Sequence, residues 1–438
     1  MLRADRNKPL ILSIFRCFPL IFLLLVPSAN GKTAEVEFES ETVFRMLERA
    51  IREGNADVAK KIVPIYEYFR LDTGQLLERE EDLSFHAYGW ARHDLNSSGF
   101  FEDNPDGELL YGYLQYSGLT RNFYLRLGRQ YIPGYTADEG LDGLFVNSDI
   151  SPFLAVEAFA GQSVSLASVG GRSGDFTAGG RLKANLINRY SLGLYYRYAS
   201  DDDVKDEEEA GFDLSLIFLN NFSVSGRSEW NLITNGVNEH SYQALFSTSK
   251  LQIRPFIDYF KYQNILAPTV NNASPFRVLV NSNEIITSLG ADVSYLFNEN
   301  ISFGVKAIHY NYKIRRNTTQ YFSGLIAWRY RELSEAGLEL GFMNSPNIED
   351  GYILGRAYIY HDLAGKFLTA DMVYTRYERG VRRKNYSFFA SLGGGIKIFK
   401  DRIEVKASMD YSSDPFFDSD FRGLASVKYN FKTEEEAE

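Results

Sequence analysis

The sequence predicts an all-β fold: a transmembrane antiparallel up-and-down β-barrel of roughly twenty strands, with a short helical extension before it. Three observations point there. Residues 423–431 read Gly-Leu-Ala-Ser-Val-Lys-Tyr-Asn-Phe, so Ala425, Val427, Tyr429 and Phe431 alternate with Ser426, Lys428 and Asn430. One face of such a strand suits lipid and the other suits water. The mean hydropathy of −0.26 is too polar for a helical membrane protein. After residue 31 no apolar run is long enough to span a bilayer as a helix, whereas a barrel wall needs an apolar residue only at every second position. Aromatic residues make up 15% of the chain, with 29 tyrosines and 33 phenylalanines. Tyrosine suits a membrane interface, where its ring meets acyl chains and its hydroxyl meets water.

Taken in order, residues 1–31 read as a secretory leader. Arg3, Arg6 and Lys8 form a positive start, Pro9 to Val26 is mostly apolar, and Ala29-Asn30-Gly31 offers small residues for cleavage near Lys32. Residues 32–82 read as a periplasmic helical extension with a lead-in segment. Ser40 caps a helix over Glu41–Glu53 that Gly54 stops, with Val43, Phe44, Leu47, Ala50 and Ile51 on one side. A second helix covers Asp57–Val63, before Pro64. Ile65–Asp72 is strand-like, but counting it alone makes the strand number odd, so it is assigned to the lead-in.

The barrel is placed at 83–431, and residues 432–438 form an acidic tail. Phe176, Ala178, Leu182, Ala184 and Leu186 oppose Thr177, Arg181, Lys183 and Asn185. In the same way Ile403, Val405, Ala407, Met409 and Tyr411 oppose Glu404, Lys406, Ser408 and Asp410. Charge at alternate positions is tolerable only where that face meets water. Tight turns at Ser151-Pro152, Asn220-Asn221, Ser249-Lys250, Asn298-Glu299-Asn300 and Lys400-Asp401 alternate with longer polar connections. Those are Asn96–Glu108, Pro133–Gly140, Asp201–Glu209, Gln263–Asn283, Asn344–Gly351 and Glu378–Asn385. This is the pattern of short periplasmic turns and longer outer loops.

Composition narrows the function. Cys17 is the only cysteine and lies in the leader, which removes disulfides, thiolate metal sites and covalent haem attachment from the mature chain. A net charge of −10 argues against a nucleic-acid partner. His86, His93, His240, His309 and His361 lack metal-ligand spacing. No catalytic set stands out, so no catalytic residue, metal or cofactor is expected, and the chain is read as a non-enzyme. An enzyme would need a Ser, a His and an acid converging on the wall. Gly393-Gly394-Gly395 marks a bend or a close approach to something in the lumen. The acidic run from Asp201 to Glu209 reads as a solvated outer loop.

The polar register collects the expected pore lining: Arg126, Arg181, Lys183, Arg197, Arg227, Glu229, Arg254, Asp258, Arg356, Asp371, Glu404, Lys406 and Asp410. Lys306 and Lys428 share it. Basic groups outnumber acidic ones in this set. Either the lumen is positive and favours anions, or the charges pair across strands and stiffen the wall. A barrel this wide is not filled by its side chains, so water, a segment of the chain or a partner occupies it.

Leu125-Arg126-Leu127-Gly128-Arg129-Gln130, followed by Asp142-Gly143-Leu144-Phe145-Val146, resembles a hairpin of large porin-like barrels. These include alginate-export-type barrels and the porin components of porin–cytochrome electron conduits. The alternation behind a leader places the chain in the outer membrane of a Gram-negative cell, with passive passage of small solutes, anions if the lumen is positive; by resemblance, export-type barrels use a basic lumen for an anionic polymer. The alternative that the resemblance implies is a sheath around a periplasmic or surface multihaem cytochrome. The terminal aromatic strand is similar to the signal read by the barrel-assembly machinery, although Lys432 to Glu438 follow it. The expected partners are therefore outer-membrane lipid, lipopolysaccharide and that machinery.

Overall fold

The computed structural model describes residues 35–433, apart from 54–55, 75–80, 97–100, 102–103, 119–121, 133–139, 165–175, 202–203, 263–283, 347–350, 382–383, 400–401 and 416–418. The leader, the Lys400-Asp401 turn and the tail beyond Thr433 lie outside the described residues. Every described element is a strand. The first eight are β1 (Glu35–Glu53), β2 (Ala56–Ile62), β3 (Pro64–Gly74), β4 (Glu81–Asp94), β5 (Asp106–Gly118), β6 (Phe123–Tyr131), β7 (Gly140–Ser151) and β8 (Leu154–Val164). Next come β9 (Phe176–Leu186), β10 (Tyr190–Asp201), β11 (Val204–Leu219), β12 (Phe222–Asn231), β13 (Gly236–Ser247), β14 (Leu251–Lys261), β15 (Ile285–Leu296) and β16 (Ile301–Tyr312). The last are β17 (Asn317–Arg331), β18 (Ser334–Asn344), β19 (Tyr352–Asp362), β20 (Lys366–Val381), β21 (Lys384–Ile398), β22 (Ile403–Ser413) and β23 (Ser419–Lys432).

From β3 onward each strand pairs antiparallel with the next, and β23 returns to pair with β1 over Glu37↔Lys432 to Ala50↔Ser419. The other edge of β1 pairs with both β2 and β3. Those two are one wall strand interrupted at Val63, so the closed wall has 22 strands. The count is even, and both ends of the wall lie at one rim.

Here the sequence expectation needs correction. Glu41–Glu53 is not a helix but part of β1, Asp57–Ile62 belongs to β2, and Ile65–Asp72 lies within β3. The wall therefore begins at Glu35 rather than at residue 83. Closure supplies the reason. Without β1, both β3 and β23 would expose an unpaired edge, which hydrocarbon does not tolerate.

Turns at the rim holding the termini are short, such as Ile187–Arg189, where Asn188 takes φ 59°. Asparagine tolerates this left-handed conformation better than most residues. The opposite rim carries the long connections, but also the short ones Leu232–Asn235 and Lys313–Arg316. The acidic run is a second correction. From Val204 it is strand β11 rather than loop, with Glu207 and Glu209 buried.

The outward register is apolar and exposed, with Leu127, Leu194, Val305, Leu340, Leu392 and Met409 among its residues. Aromatic rings gather toward both rims on this face. Phe218–Phe222 and Trp328–Tyr330 lie near the terminal rim, and Phe212–Trp230 and Tyr374–Tyr386 lie near the other. A closed wall with an apolar belt between aromatic girdles is an outer-membrane barrel. No helix among the described residues is long and apolar enough to cross a membrane.

Candidate functional site on the inner wall

Side-chain alternation sends the opposite register inward. All thirteen expected pore-lining residues fall in it, because each pairs across its strands with residues of the same face. Arg181, for example, stands opposite Glu157 on β8 and Tyr195 on β10, while its neighbour Leu182 faces outward.

Most of the inner cations stand against acids. Arg181 Nη2 lies 2.6 Å from Asp213 Oδ1, and Arg227 Nη2 lies 3.0 Å from Glu239 Oε2. Arg356 Nη2 sits 2.6 Å from Asp371 Oδ2, and Lys406 Nζ sits 3.0 Å from Glu404 Oε1. Arg254 pairs with Asp292, which also lies 3.8 Å from Lys306. Lys428 reaches Glu39 at 2.7 Å. Asp258 accepts from Ser241 and Ser288, at 2.7 and 3.0 Å. Ser391 donates to Asp410 at 2.6 Å. Lys183 stands two residues from Arg181 on the same face of β9. The net positive lumen therefore does not hold for the described residues. Sequence reading left out Glu39, Glu157, Glu207, Asp213, Glu239 and Asp292, which share the inner register and answer the cations.

The most enclosed polar cluster spans β10 to β13. Arg197 Nη2 lies 3.3 Å from Glu207 Oε2, with side-chain exposures of 2% and 5%. The register shifts between Glu229 and Trp230, so Asn238 is an extra residue on β13. Such a bulge re-aims side chains. Asn238 Nδ2 donates to Glu209 and Glu229, both at 3.0 Å, and Tyr195 donates to Glu229 at 2.7 Å. A niche of about 410 Å³ opens among Arg254, Asp292, Lys306, Ser323 and Glu339.

Sequence reading missed a run of inward aromatic rings on β3 to β6. Tyr66 and Tyr68 stack at 6.0 Å, and Tyr68 meets Tyr88 at 6.5 Å. Tyr88 meets Tyr111 at 5.6 Å, and Tyr111 meets Tyr113 at 5.8 Å. The Arg126 guanidinium then bridges the Tyr113 and Tyr124 rings, at 5.1 and 4.8 Å, while its Nε donates to Gln115 at 2.8 Å. The run descends from mid-wall toward the terminal rim. Its sequence signal is tyrosine at i and i+2, which puts both rings on one face.

Beside this run His86 Nδ1 lies 2.6 Å from Asp72, and His86 Nε2 lies 2.9 Å from Ser84 Oγ. These three residues meet the bare geometry of a hydrolase triad. Ser84, however, is only 5% exposed; it sits near the start of β4 opposite Gln115, and the adjacent Phe85 N–H is already held by Thr73 Oγ1 at 3.1 Å. No oxyanion hole forms from such a backbone. The other histidines stand apart: His240 and His361 join the outer aromatic girdle. Among the described residues no group of three or more His, Cys, Asp or Glu side chains is arranged to hold a metal ion.

No protein-family model matches the chain, and no curated protein matches it. Among solved structures it is similar to OccAB4 of Acinetobacter baumannii, at 10% identity and a TM-score of 0.45, over 91% of this chain and 98% of that one. OpdQ of Pseudomonas aeruginosa matches at 9% identity and a TM-score of 0.46, over 92% of this chain and 100% of that one. OccAB3 of Acinetobacter baumannii matches at 11% identity and a TM-score of 0.45, over 91% and 99%.

Proposed function

We propose that the chain is an outer-membrane channel for passive passage of small hydrophilic solutes, its terminal rim facing the periplasm. One observation carries this: a closed wall of 22 strands, apolar outside and charged inside. Barrels of about 16–18 strands already enclose an aqueous channel, and side chains do not fill a wider one. The paired ions keep the lumen polar without a strong field of either sign. No residue is assigned covalent chemistry. The lipid-facing belt meets lipid and lipopolysaccharide, and β23 is the strand offered to the barrel-assembly machinery.

The test is single-channel recording from the purified, refolded barrel in a planar bilayer. A large, stable conductance is expected. A correctly folded barrel that stays silent would overturn the channel reading. It would favour the sheath, with a haem-staining multihaem partner that co-purifies.

A further inference from the structure

The inner tyrosine run has a chemistry of its own. Its rings follow one another along the wall at centroid spacings of 5.6–6.5 Å, with the Arg45 guanidinium over Tyr66 and that of Arg126 over Tyr113. Among the described residues the hydroxyls of Tyr66, Tyr88, Tyr111 and Tyr113 make no hydrogen bond, so they remain available as donors and acceptors. Alongside lies a compact charged doublet: Arg70 Nε is 2.6 Å from Asp72 Oδ2. A neutralised Arg–Asp pair offers donors and acceptors together without net charge.

We propose that this run is a binding track for a linear oligosaccharide. The proposal rests on the channel reading, because the track lines its lumen. A sugar ring has C–H faces that lie on an aromatic ring and hydroxyls at its edge that meet phenols and an Arg–Asp doublet. Several rings joined in a line can touch Tyr68, Tyr88, Tyr111 and Tyr113 at once and step from one to the next. A single small anion would use neither the length of the run nor its balanced charge.

The test is calorimetric titration of the folded barrel in detergent with maltohexaose and cellohexaose, beside glucose and sodium benzoate. At least one hexaose is expected to bind ten-fold or more tightly than glucose. Y88A combined with Y111A should weaken that binding at least ten-fold, whereas Y374A, on the outer face, should leave it unchanged. Failure of both hexaoses to bind, equal binding by the double variant, or preferential binding of benzoate would each overturn the track. Calorimetry does not need conduction. A silent barrel that binds hexaose therefore overturns only the channel, and a conducting barrel that binds neither overturns only the track.

Discussion

At the scale of single residues, neighbouring acids on one strand have opposite roles. Glu208 faces outward and pairs with exposed Lys205 at 2.6 Å. Glu207 faces inward and meets Arg197, with both side chains almost wholly enclosed. Removing one member of a buried pair strands the other charge, which costs about 3–5 kcal/mol, whereas exposed pairs contribute little. Arg197→Gln should therefore lower the unfolding free energy of the barrel by about that much and move its urea midpoint down, while Lys205→Gln should leave the midpoint in place. Denaturation followed by tryptophan fluorescence checks both; equal midpoints for the two variants would show that the inner pair is not holding the wall. A close approach nearby makes a second case. A Cβ on Gly211 would land on the Tyr195 ring, which covers that glycine while its hydroxyl donates to Glu229. Gly211→Ala should cost about 1–3 kcal/mol, the usual range for overpacking. Combining it with Tyr195→Ala should restore most of the packing loss, and a double-mutant cycle reads the coupling.

At the scale of elements, the strands from β4 onward were legible because lipid outside and water inside impose a period of two on every one of them. Glycine was partly legible. The close approach expected at Gly393-Gly394-Gly395 is to the wall's own neighbours, since the Phe367 ring lies over Gly395. The first wall strand was not legible. Val43, Phe44, Leu47, Ala50 and Ile51 fit a helical stripe, and the outward partners of Glu39 and Glu41 are Ser40 and Thr42 rather than large apolar groups. Local pattern favoured a helix, but the two edges waiting for β1 decide for a strand. This has a sharp consequence. A dispensable helical extension could be cut away, whereas a closing strand could not. Deleting residues 35–53 behind an intact leader should abolish the heat-modifiable folded band on semi-native gels. A folded, conducting deletion variant would restore the extension.

At the scale of the whole molecule, the candidate site was legible as a register but not as a field. Period two placed Arg181, Arg197, Arg227, Arg254 and Arg356 on the inner face. It could not say which acids of neighbouring strands stand opposite them, because pairing across strands depends on bulges such as the one at Asn238 and on the closure by β1. Rings of unanswered Arg and Lys would make an anion-selective pore. Here Arg254 is answered by Asp292 and Arg356 by Asp371. Wild-type protein in a salt gradient should accordingly give a reversal potential close to zero. Replacing Arg254 and Arg356 together with Gln leaves Asp292 and Asp371 facing the lumen without those partners, so the reversal potential should move toward the cation limit. The shift should shrink as salt rises, because screening shortens the reach of wall charges to about 10 Å at 0.1 M and about 3 Å at 1 M. Strong anion preference in the wild type, or no shift in the double variant, would mean that these pairs do not set the field the solute meets.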